Sequence, residues 1–239
     1  MTSSSSPRGI IFDLDGTLVD SAEDLRAALN RLLGELGLRA VETNEIKGMI
    51  GDGVLKMVER ALVATGGDPK QSAALQPRFL ELYLPNSANL TRCFPGVAET
   101  LDVLHRKDFR LAVVTNKPVA ATNSILRALS LSDFFQAVVG GDSVEQRKPH
   151  PAPLLEAARR LAVDVSETLM VGDNIHDVEA AHAAGMRCVS VSYGYHHRPP
   201  AEFGADRLID RFADLLPLVI NPASAGSSIG PEAERLSST

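Results

Sequence analysis

The sequence is poor in the features that mark secreted, membrane and nucleic-acid-binding proteins. It has only two cysteines, Cys93 and Cys188, which are far apart and lack metal-site spacing, so they indicate reduced thiols rather than a disulfide framework. No uninterrupted apolar run approaches the roughly 18 residues of a membrane span, and the opening MTSSSSPR lacks the apolar core of a signal peptide. We therefore expect a soluble cytoplasmic protein with no membrane partner.

The charge balance also lacks a basic excess. The formal net charge is −6, which argues against general binding of nucleic acids or anionic membranes. Hydrophobic residues make up 44% and charged residues 23%, as in ordinary globular proteins. With 239 residues, the chain is long enough for one large domain or for a core with a smaller insert.

Short apolar runs alternate with amphipathic stretches along most of the chain. The runs are brief and rich in valine and isoleucine, which is typical of buried strands: RGIIFD, FRLAVVT, FQAVVGG, ETLMVGD and MRCVSVS. Between them lie four helical patterns: VAETLDVLHRK, PVAATNSILRALS, PAPLLEAARRLA and IHDVEAAHAAG. Strand followed by helix, repeated, predicts an α/β fold with a Rossmann-like parallel sheet that helices cover on both faces.

One region interrupts this alternation with helix after helix. Residues 21–91 contain four helical patterns and no convincing strand, and this length is too great for an ordinary crossover between strands. We predict an inserted all-helical domain at 21–91, with the α/β core formed by 1–20 and 92–220. Residues 221–239 are small and polar, which predicts a mobile C-terminal tail.

Polar residues follow several of the predicted strands at the point where each strand ends. Asp13 follows IIF, Asp173 follows LMVG, and Thr115 with Asn116 follows LAVV. Lys148 lies in the loop after a further strand. Because ligands bind at the carboxyl ends of strands in open parallel sheets, we expect these side chains to converge.

Two aspartates only two positions apart, Asp13 and Asp15, raise an electrostatic question. Alternation along an extended chain places both on one side, where like charges about 4 Å apart repel by roughly 4 kcal/mol at an effective dielectric near 20. A Mg²⁺ ion would offset this repulsion, because it favours a few carboxylate ligands and retains several waters. Asp173 and Asp177 are four apart at a helix start and add two carboxylates on one face.

The same residue types suit phosphoryl transfer. A carboxylate attacks phosphorus to form an aspartyl phosphate, and a neighbouring carboxyl protonates the leaving alcohol and then activates the hydrolytic water. Thr115 and the backbone at Asn116 are suited to hold phosphate oxygens, and Lys148 supplies a fixed positive charge. Unaided hydrolysis of phosphate monoesters is so slow that such clustered charge has a purpose.

Four ordered motifs resemble those of the haloacid dehalogenase superfamily of phosphatases, over roughly residues 9 to 215. They are DLDGTLVDS, the threonine of VVTNK, the lysine of RKPHP, and VGDNIHD. The resemblance implies that Asp13 is the nucleophile and Asp15 the general acid and base. It also implies that Thr115 and Lys148 bind the phosphate of a small phosphorylated substrate.

The resemblance further implies a metal site and a cap. The Mg²⁺ ligands would be Asp13, the backbone carbonyl of Asp15, and Asp173, with Asp177 supporting the site. An all-helical insert directly after the first motif is similar to the superfamily's first class of cap, which closes over small substrates. The expected fold is therefore a parallel α/β core with an inserted helical cap.

Within the superfamily, the chain most resembles the group that hydrolyses 2-phosphoglycolate. FPGV, VVTNKP and SYGYHH carry this likeness, and IGDGV resembles that group's glycine-bearing cap loop. A helix N-terminus after IGDGV would receive the substrate carboxylate through backbone N–H groups. Asp52 opposes an anion there unless it caps the helix, and His176 stands where a small or polar residue is more usual. The implied activity is a Mg²⁺-dependent phosphatase acting on a small phosphorylated acid.

Each site feature also has a structural interpretation. Asp173 and Asp177 are suited to cap a helix, since acids favour its first turn. Thr115 alone is a strand-end hydroxyl and Lys148 alone a solvated lysine, so both depend on the order of the motifs. The segment IGDGV is equally typical of an interhelix turn, and Asp142, after two glycines, is as consistent with a turn as with a site.

Other functions use similar motifs. Another capped activity (a sugar-phosphate phosphatase, a pyrophosphatase or a phosphomutase) would differ only in its cap contacts. A phospho-signalling receiver also combines an acidic pocket with an aspartate, a threonine and a lysine, but its acceptor lies at a later strand and needs no insert. A silent binding protein is disfavoured because no expected catalytic position is missing. The sequence carries no signal for an oligomeric partner.

Overall fold

A six-stranded parallel sheet forms the centre of the structure, a computed structural model that describes residues 7–196 and 198–220. Its strands are β1 (Gly9–Phe12), β4 (Arg110–Val114), β5 (Ala137–Val139), β6 (Thr168–Gly172), β7 (Arg187–Val191) and β8 (Arg207–Ile209). A separate antiparallel pair consists of β2 (Val19–Asp20) and β3 (Arg92–Cys93). The parallel α/β sheet predicted from the sequence is confirmed.

The strand order of the sheet is β5-β4-β1-β6-β7-β8. The chain runs from β1 outward through β4 and β5 on one side, and then returns to β6, β7 and β8 on the other. The order therefore reverses beside β1, and in open α/β sheets such a reversal opens a crevice at the carboxyl ends of the strands. Asp13 follows β1 at this crevice.

Helices cover both faces of the sheet. The nine helices of the described residues are α1 (Ala22–Glu35), α2 (Thr43–Lys47), α3 (Val54–Thr65), α4 (Ser72–Tyr83), α5 (Val97–Arg106), α6 (Val119–Ala128), α7 (Ala152–Leu161), α8 (Ile175–Ala184) and α9 (Leu215–Ile220). Ile10 and Phe12 pack with α5, α6 and α9, whereas Ile11 packs with α7 and α8. This alternation explains why the strand is apolar at every position. Within residues 7–196 and 198–220, no helix combines the length and apolar character needed to cross a membrane.

The helices α1 to α4 share a buried cluster of their own, which includes Leu29, Ile46 and Phe79. Ala121 and Tyr195 from the rest of the chain join this cluster. The helical insert is thus built around an internal core and also contacts the α/β part. The division of the chain at 20/21 and 91/92 stays a prediction, and the tail at 221–239 lies outside the described residues.

Three strands were not anticipated from the sequence. β8 has three residues, of which only Ile209 is buried, so it lacks the apolar run that identified the other strands. β2 and β3 have two residues each and pair where the chain enters and leaves the helical insert, with Val19 opposite Cys93. Such short pairs carry no periodic signal, because they depend on two chain segments that meet only in the folded protein.

Candidate active site

Asp13 lies directly after β1 and is 8% exposed. Lys148 Nζ pairs with its Oδ1 atom at 2.9 Å, and no further donor within the described residues reaches that oxygen. Burial raises the pKa of Asp13 to about 6 against the opposing effect of Lys148. A carboxylate oxygen with a single donor beside it keeps lone-pair capacity for a further ligand such as a cation.

Lys148 comes from the loop after β5 and reaches the same place. Its Nζ donates to Asp177 Oδ1 at 2.6 Å and to the Val114 carbonyl at 2.9 Å. Burial lowers the pKa of Lys148, but the charges of Asp13 and Asp177 outweigh this effect and hold the pKa above its ordinary value. The lysine therefore remains charged between two carboxylates.

Asp13, Asp173 and Asp177 form a buried group whose carboxylate oxygens all lie within 4.8 Å of one another. Asp173 accepts hydrogen bonds from Thr17 Oγ1 at 2.8 Å and from the Tyr195 N–H at 2.7 Å. Burial and the charges of Asp13 and Asp177 raise the pKa of Asp173 well above its ordinary value. A cation would relieve this repulsion, and hard carboxylate oxygens are the donors that a divalent metal such as Mg²⁺ prefers.

Asp177 serves two purposes through its two oxygens. Oδ2 accepts from the Asn174 N–H at 3.0 Å, and the Asn174 side chain accepts from the Asp177 N–H in return, which forms a capping box at the start of α8. Oδ1 binds Lys148. Helix capping and membership of the acidic group are therefore compatible, because they use different atoms.

Asp15 faces a different cation from Asp13. Lys117 Nζ donates to both carboxylate oxygens of Asp15, at 2.9 and 2.8 Å, and Ser21 Oγ donates to Oδ1 at 2.5 Å. Lys117 is 5% exposed. Each of the two neighbouring aspartates thus has its own buried lysine, Lys148 for Asp13 and Lys117 for Asp15. The sequence had suggested a metal alone as the compensating charge.

Thr115 and Asn116 stand at the carboxyl end of β4. Thr115 Oγ1 accepts from the Lys117 N–H at 3.2 Å. The Asn116 side chain bonds both the N–H and the carbonyl of Lys148 at 3.0 Å, and its Nδ2 also donates to the Gly51 carbonyl at 2.9 Å. Asn116 therefore joins the Lys148 loop to the helical insert through its amide.

The loop 51–53 of the helical insert lies directly on the α/β part. A Cβ on Gly51 would stand 3.0 Å from Asn174 Nδ2, and one on Gly53 would stand 3.3 Å from the Asn116 carbonyl. Both glycines have positive φ, +120° and +84°, which other residues rarely adopt. The segment IGDGV is therefore a contact between the two parts as well as a connection between α2 and α3.

Asp52 and His176 form an ion pair across the same boundary. His176 Nε2 lies 2.5 Å from Asp52 Oδ1, and Arg60 also pairs with Asp52. The hydrogen bond with Asp52 raises the pKa of His176, and the same bond lowers the pKa of Asp52. Asp52 does not cap α3, whose N-cap is Gly53. Its charge is neutralised by these partners, which removes the objection that it would repel an anion.

A small cavity of about 40 Å³ lies between the helical insert and the strand ends. The α/β side is polar and consists of Asp13, Asp15, Thr115, Asn116 and Lys117. The opposite wall is mainly apolar and consists of Leu25, Ile50, Gly51, Gly53, Val54 and Met57. The space matches about three water molecules. Asp173, Asp177 and Lys148 lie behind this cavity, in contact with Asp13 or within its acidic group.

Sequence reasoning missed several residues that shape the site. Thr17 and Lys117 lie inside recognised motifs, so the sequence did indicate them, but neither residue was assigned a role. Tyr195 lies inside the recognised segment SYGYHH, and its hydroxyl accepts from the N–H groups of Ser21 and Ala22 at 2.9 and 3.1 Å. Nothing local to Tyr195 in the sequence indicates this contact with the start of α1.

Gly194 has no room for a side chain beside the acidic group. A Cβ there would stand 2.2 Å from Asp173 Cβ and 2.5 Å from Asp173 Oδ2. We expect Gly194→Ala to displace the Asp173 carboxylate and weaken binding of a divalent metal by about 10- to 100-fold. Calorimetric titration of the purified variant with Mg²⁺ measures this change.

Gly34→Ala is the matched control for this substitution. Gly34 is exposed near the end of α1, and no atom outside its own helix lies within 4 Å of a Cβ built on it. We expect unchanged metal affinity and a stability gain of about 0.5–1 kcal/mol. Equal metal affinities in the two variants would contradict a role for Asp173 in metal binding.

Comparisons with known proteins agree with this geometry. The family model described as haloacid dehalogenase-like hydrolase matches residues 10–191. A phosphoglycolate phosphatase of Cereibacter sphaeroides is 45% identical over 87% of this chain and 97% of its own, and one of Rhodospirillum rubrum is 40% identical over 94% and 95%. The crystal structure of a predicted phosphoglycolate phosphatase from Haemophilus somnus has a TM-score of 0.84 and 34% identity, covering 90% of this chain and 99% of that one.

These likenesses extend over nearly all of the described residues. The matched region begins within β1 and ends with β7, so it includes all four motifs as well as the helical insert. The resemblance inferred from those motifs is therefore confirmed. The chain belongs to the haloacid dehalogenase-like hydrolase family.

Proposed function

We propose that this protein is a Mg²⁺-dependent phosphatase that hydrolyses 2-phosphoglycolate to glycolate and phosphate. The observation that carries the proposal is the Asp13 carboxylate, which lines the cavity, pairs with Lys148 and belongs to the group of three buried carboxyls. The name phosphoglycolate phosphatase of similar chains, at 45% and 40% identity, supports the choice of substrate.

The metal would be held by Asp13, the backbone carbonyl of Asp15, and Asp173, with Asp177 supporting the site. The fit rests on two features: the close group of three buried carboxyls and the raised pKa of two of them, Asp13 and Asp173. When bound, Mg²⁺ supplies positive charge that stabilises the phosphoryl oxygens in the transition state.

Asp13 is the proposed nucleophile. One of its carboxylate oxygens attacks phosphorus, the ester bond breaks, and the phosphoryl group becomes an aspartyl phosphate. The departing glycolate oxygen takes a proton from the Asp15 carboxyl. Asp15 then removes a proton from a water molecule that attacks the aspartyl phosphate, which releases phosphate and regenerates both carboxyls.

Lys148, Thr115 and the backbone at Asn116 are the proposed phosphate-binding groups. The Lys148 ammonium is already 2.9 Å from Asp13 Oδ1, so it would neutralise negative charge on a phosphoryl group attached there. Thr115 Oγ1 accepts its hydrogen bond from Lys117 N–H, which leaves the hydroxyl hydrogen to donate to a phosphate oxygen. Thr115 and Asn116 are held at the end of β4, and Lys148 is held by its bonds with Asn116 and Asp177, so these groups need little rearrangement.

Phosphate release from a panel of small esters tests the proposal. The panel contains 2-phosphoglycolate, a hexose phosphate, pyrophosphate and p-nitrophenyl phosphate, each with Mg²⁺ and with chelator. We expect activity only with Mg²⁺ and a kcat/KM for 2-phosphoglycolate at least about 100-fold above the others, since a site built for a charged group discriminates strongly. A broad profile would retain the phosphatase mechanism and reject this substrate. No release from any ester would reject both.

A further inference from the structure

Lys117 occupies an unusual place for a lysine. It is 5% exposed and, of the described residues that line the cavity, it is the one with a positive charge. Its ammonium contacts both oxygens of Asp15. Lys148 contacts one oxygen of Asp13 and is shared with Asp177. Two buried cations thus stand behind two aspartates that are two residues apart, at one end of the sheet.

Tyr83, the last residue of α4, lies on the other side of Lys117. The ammonium is 4.9 Å from the centre of the Tyr83 ring, which itself stacks on Phe79 at 5.5 Å. Tyr83 is 1% exposed, and apart from the Lys117 ammonium its hydroxyl has no hydrogen-bond partner within the described residues. Burial raises the pKa of Tyr83 to about 12, so the hydroxyl keeps its proton and remains a donor. Because an ammonium can only donate, the hydrogen of this buried hydroxyl has no acceptor, which is rare in native proteins and indicates a missing one.

A substrate with two anionic groups needs two cationic positions. The proposed phosphate position uses Lys148, and the mainly apolar wall formed by Leu25, Ile50, Val54 and Met57 offers no charged side chain to a second anion. The N-terminus of α3 at Val54, where the sequence had suggested the substrate carboxylate would bind, supplies backbone N–H groups but no full charge. An unpaired carboxylate enclosed there would be strongly unfavourable. Lys117 can accept such a group, because its flexible stem allows the ammonium to turn from one carboxylate to another.

We propose that Lys117, with the Tyr83 hydroxyl as a second donor, is a carboxylate subsite that binds the acid group of the substrate's leaving group. This inference rests on the proposed function and specifies how the substrate class is recognised. When the substrate carboxylate enters, the Lys117 ammonium leaves Asp15 and pairs with the substrate carboxylate instead. The number of ion pairs therefore does not change. Asp15, no longer bound by Lys117 through both of its oxygens, then faces the ester oxygen. Binding of the substrate carboxylate therefore frees the general acid, which couples recognition to catalysis. A neutral ester leaves Lys117 on Asp15.

The test compares 2-phosphoglycolate with ethyl phosphate, in which a methyl group replaces the carboxylate. The full-length wild type and Lys117→Met are assayed with Mg²⁺, and the measured quantity is the ratio of the two kcat/KM values. Because Lys117 also contacts Asp15, both activities are expected to fall in the variant. The ratio is expected to collapse by about 100-fold, the order found when a site loses its charged hydrogen-bond partner for a substrate group. Lys117→Arg is expected to restore part of it.

Lys56→Met is the matched control. Lys56 is an exposed lysine of α3 that pairs with Glu59, so the same change of charge on the helical insert should leave the ratio at the wild-type value. A binding measurement accompanies the kinetics: glycolate should inhibit ethyl phosphate hydrolysis by the wild type and by Lys56→Met, but about tenfold less by Lys117→Met.

The outcomes separate this inference from the proposed function. If the wild type shows no preference for 2-phosphoglycolate, the proposed substrate is wrong. If the wild type prefers it and Lys117→Met lowers both activities equally, Lys117 only positions Asp15, and the subsite is overturned while the proposed function stands. Should Lys117→Met fail to fold, Tyr83→Phe decides. It keeps the ring and removes the hydroxyl, and an unchanged ratio with unchanged glycolate inhibition overturns the subsite.

Discussion

Asp13→Asn is expected to lose turnover by about 10⁴-fold or more while the protein stays folded. The magnitude is that of removing a covalent nucleophile, because an amide oxygen attacks phosphorus far less readily than a carboxylate. The side chain keeps its size at the end of β1, so the packing around it is preserved. Single-turnover phosphate release with 2-phosphoglycolate and with p-nitrophenyl phosphate measures the loss.

Although Asp13→Asn is expected to lose turnover, its stability is expected to stay the same or increase. Burial raises the pKa of Asp13 from 3.8 to about 6, so above pH 6 the folded protein holds an ionised group that is more favourable in the unfolded chain. Asparagine avoids that cost. In chelator at pH 7.5, we expect its free energy of unfolding to equal or exceed that of the wild type, by up to about 3 kcal/mol.

Asp142→Asn is the matched control, since it makes the same chemical change outside the site. Asp142 Oδ1 accepts from the Val119 N–H at 2.8 Å at the start of α6, which identifies it as a structural residue. Asparagine also caps helices well, so we expect activity within about threefold of the wild type and a stability change of a few tenths of a kcal/mol. A fully active Asp13→Asn enzyme would refute the covalent mechanism.

Lys148→Met is expected to destabilise the metal-free protein by about 3–5 kcal/mol, the usual cost of breaking a buried ion pair from one side. Lys148 contacts Asp13 at 2.9 Å and Asp177 at 2.6 Å. Methionine fills a similar volume but leaves Asp13, Asp173 and Asp177 without that cation. Urea unfolding in chelator measures the change, and activity with Mg²⁺ is expected to fall by at least about 100-fold.

Adding Mg²⁺ should recover part of the stability lost in Lys148→Met, because both cations compensate the same carboxylates. The exposed residue Lys107, just after α5, provides the control, and Lys107→Met should change stability by less than about 0.5 kcal/mol. Similar unfolding curves for Lys148→Met and Lys107→Met would mean that the buried contacts add nothing to stability. A variant that Mg²⁺ fails to stabilise would instead argue against metal binding by this acidic group.

Much of the fold was accessible from local patterns. Five of the six strands of the parallel sheet and the helices between them coincide with short apolar runs and amphipathic stretches, because buried strands and one-sided helices impose those periods on the sequence. The helical insert was visible as a break in the alternation. β8 was missed because its three residues include only one buried position.

The sequence predicted a site residue only where that residue belonged to a recognised motif. The sequence suggested a metal alone to compensate Asp13 and Asp15, whereas the structure pairs Asp15 with Lys117, 102 positions away. Similarly, the sequence left Asp52 as an objection to anion binding and His176 as an unexplained residue. The two form an ion pair across 124 positions. Neither the composition nor the residue spacing of the sequence predicts such long-range pairs.

The sequence by itself determined the class of fold, the order of the four motifs and the residues that end each strand, because these depend on neighbours along the chain. Only the tertiary structure decided which lysine faces which aspartate, that loop 51–53 rests on Asn116 and Asn174, and that Tyr83 lies against Lys117. Those contacts arise from the packing of the insert on the strand ends, and packing brings together groups whose separation along the chain carries no signal.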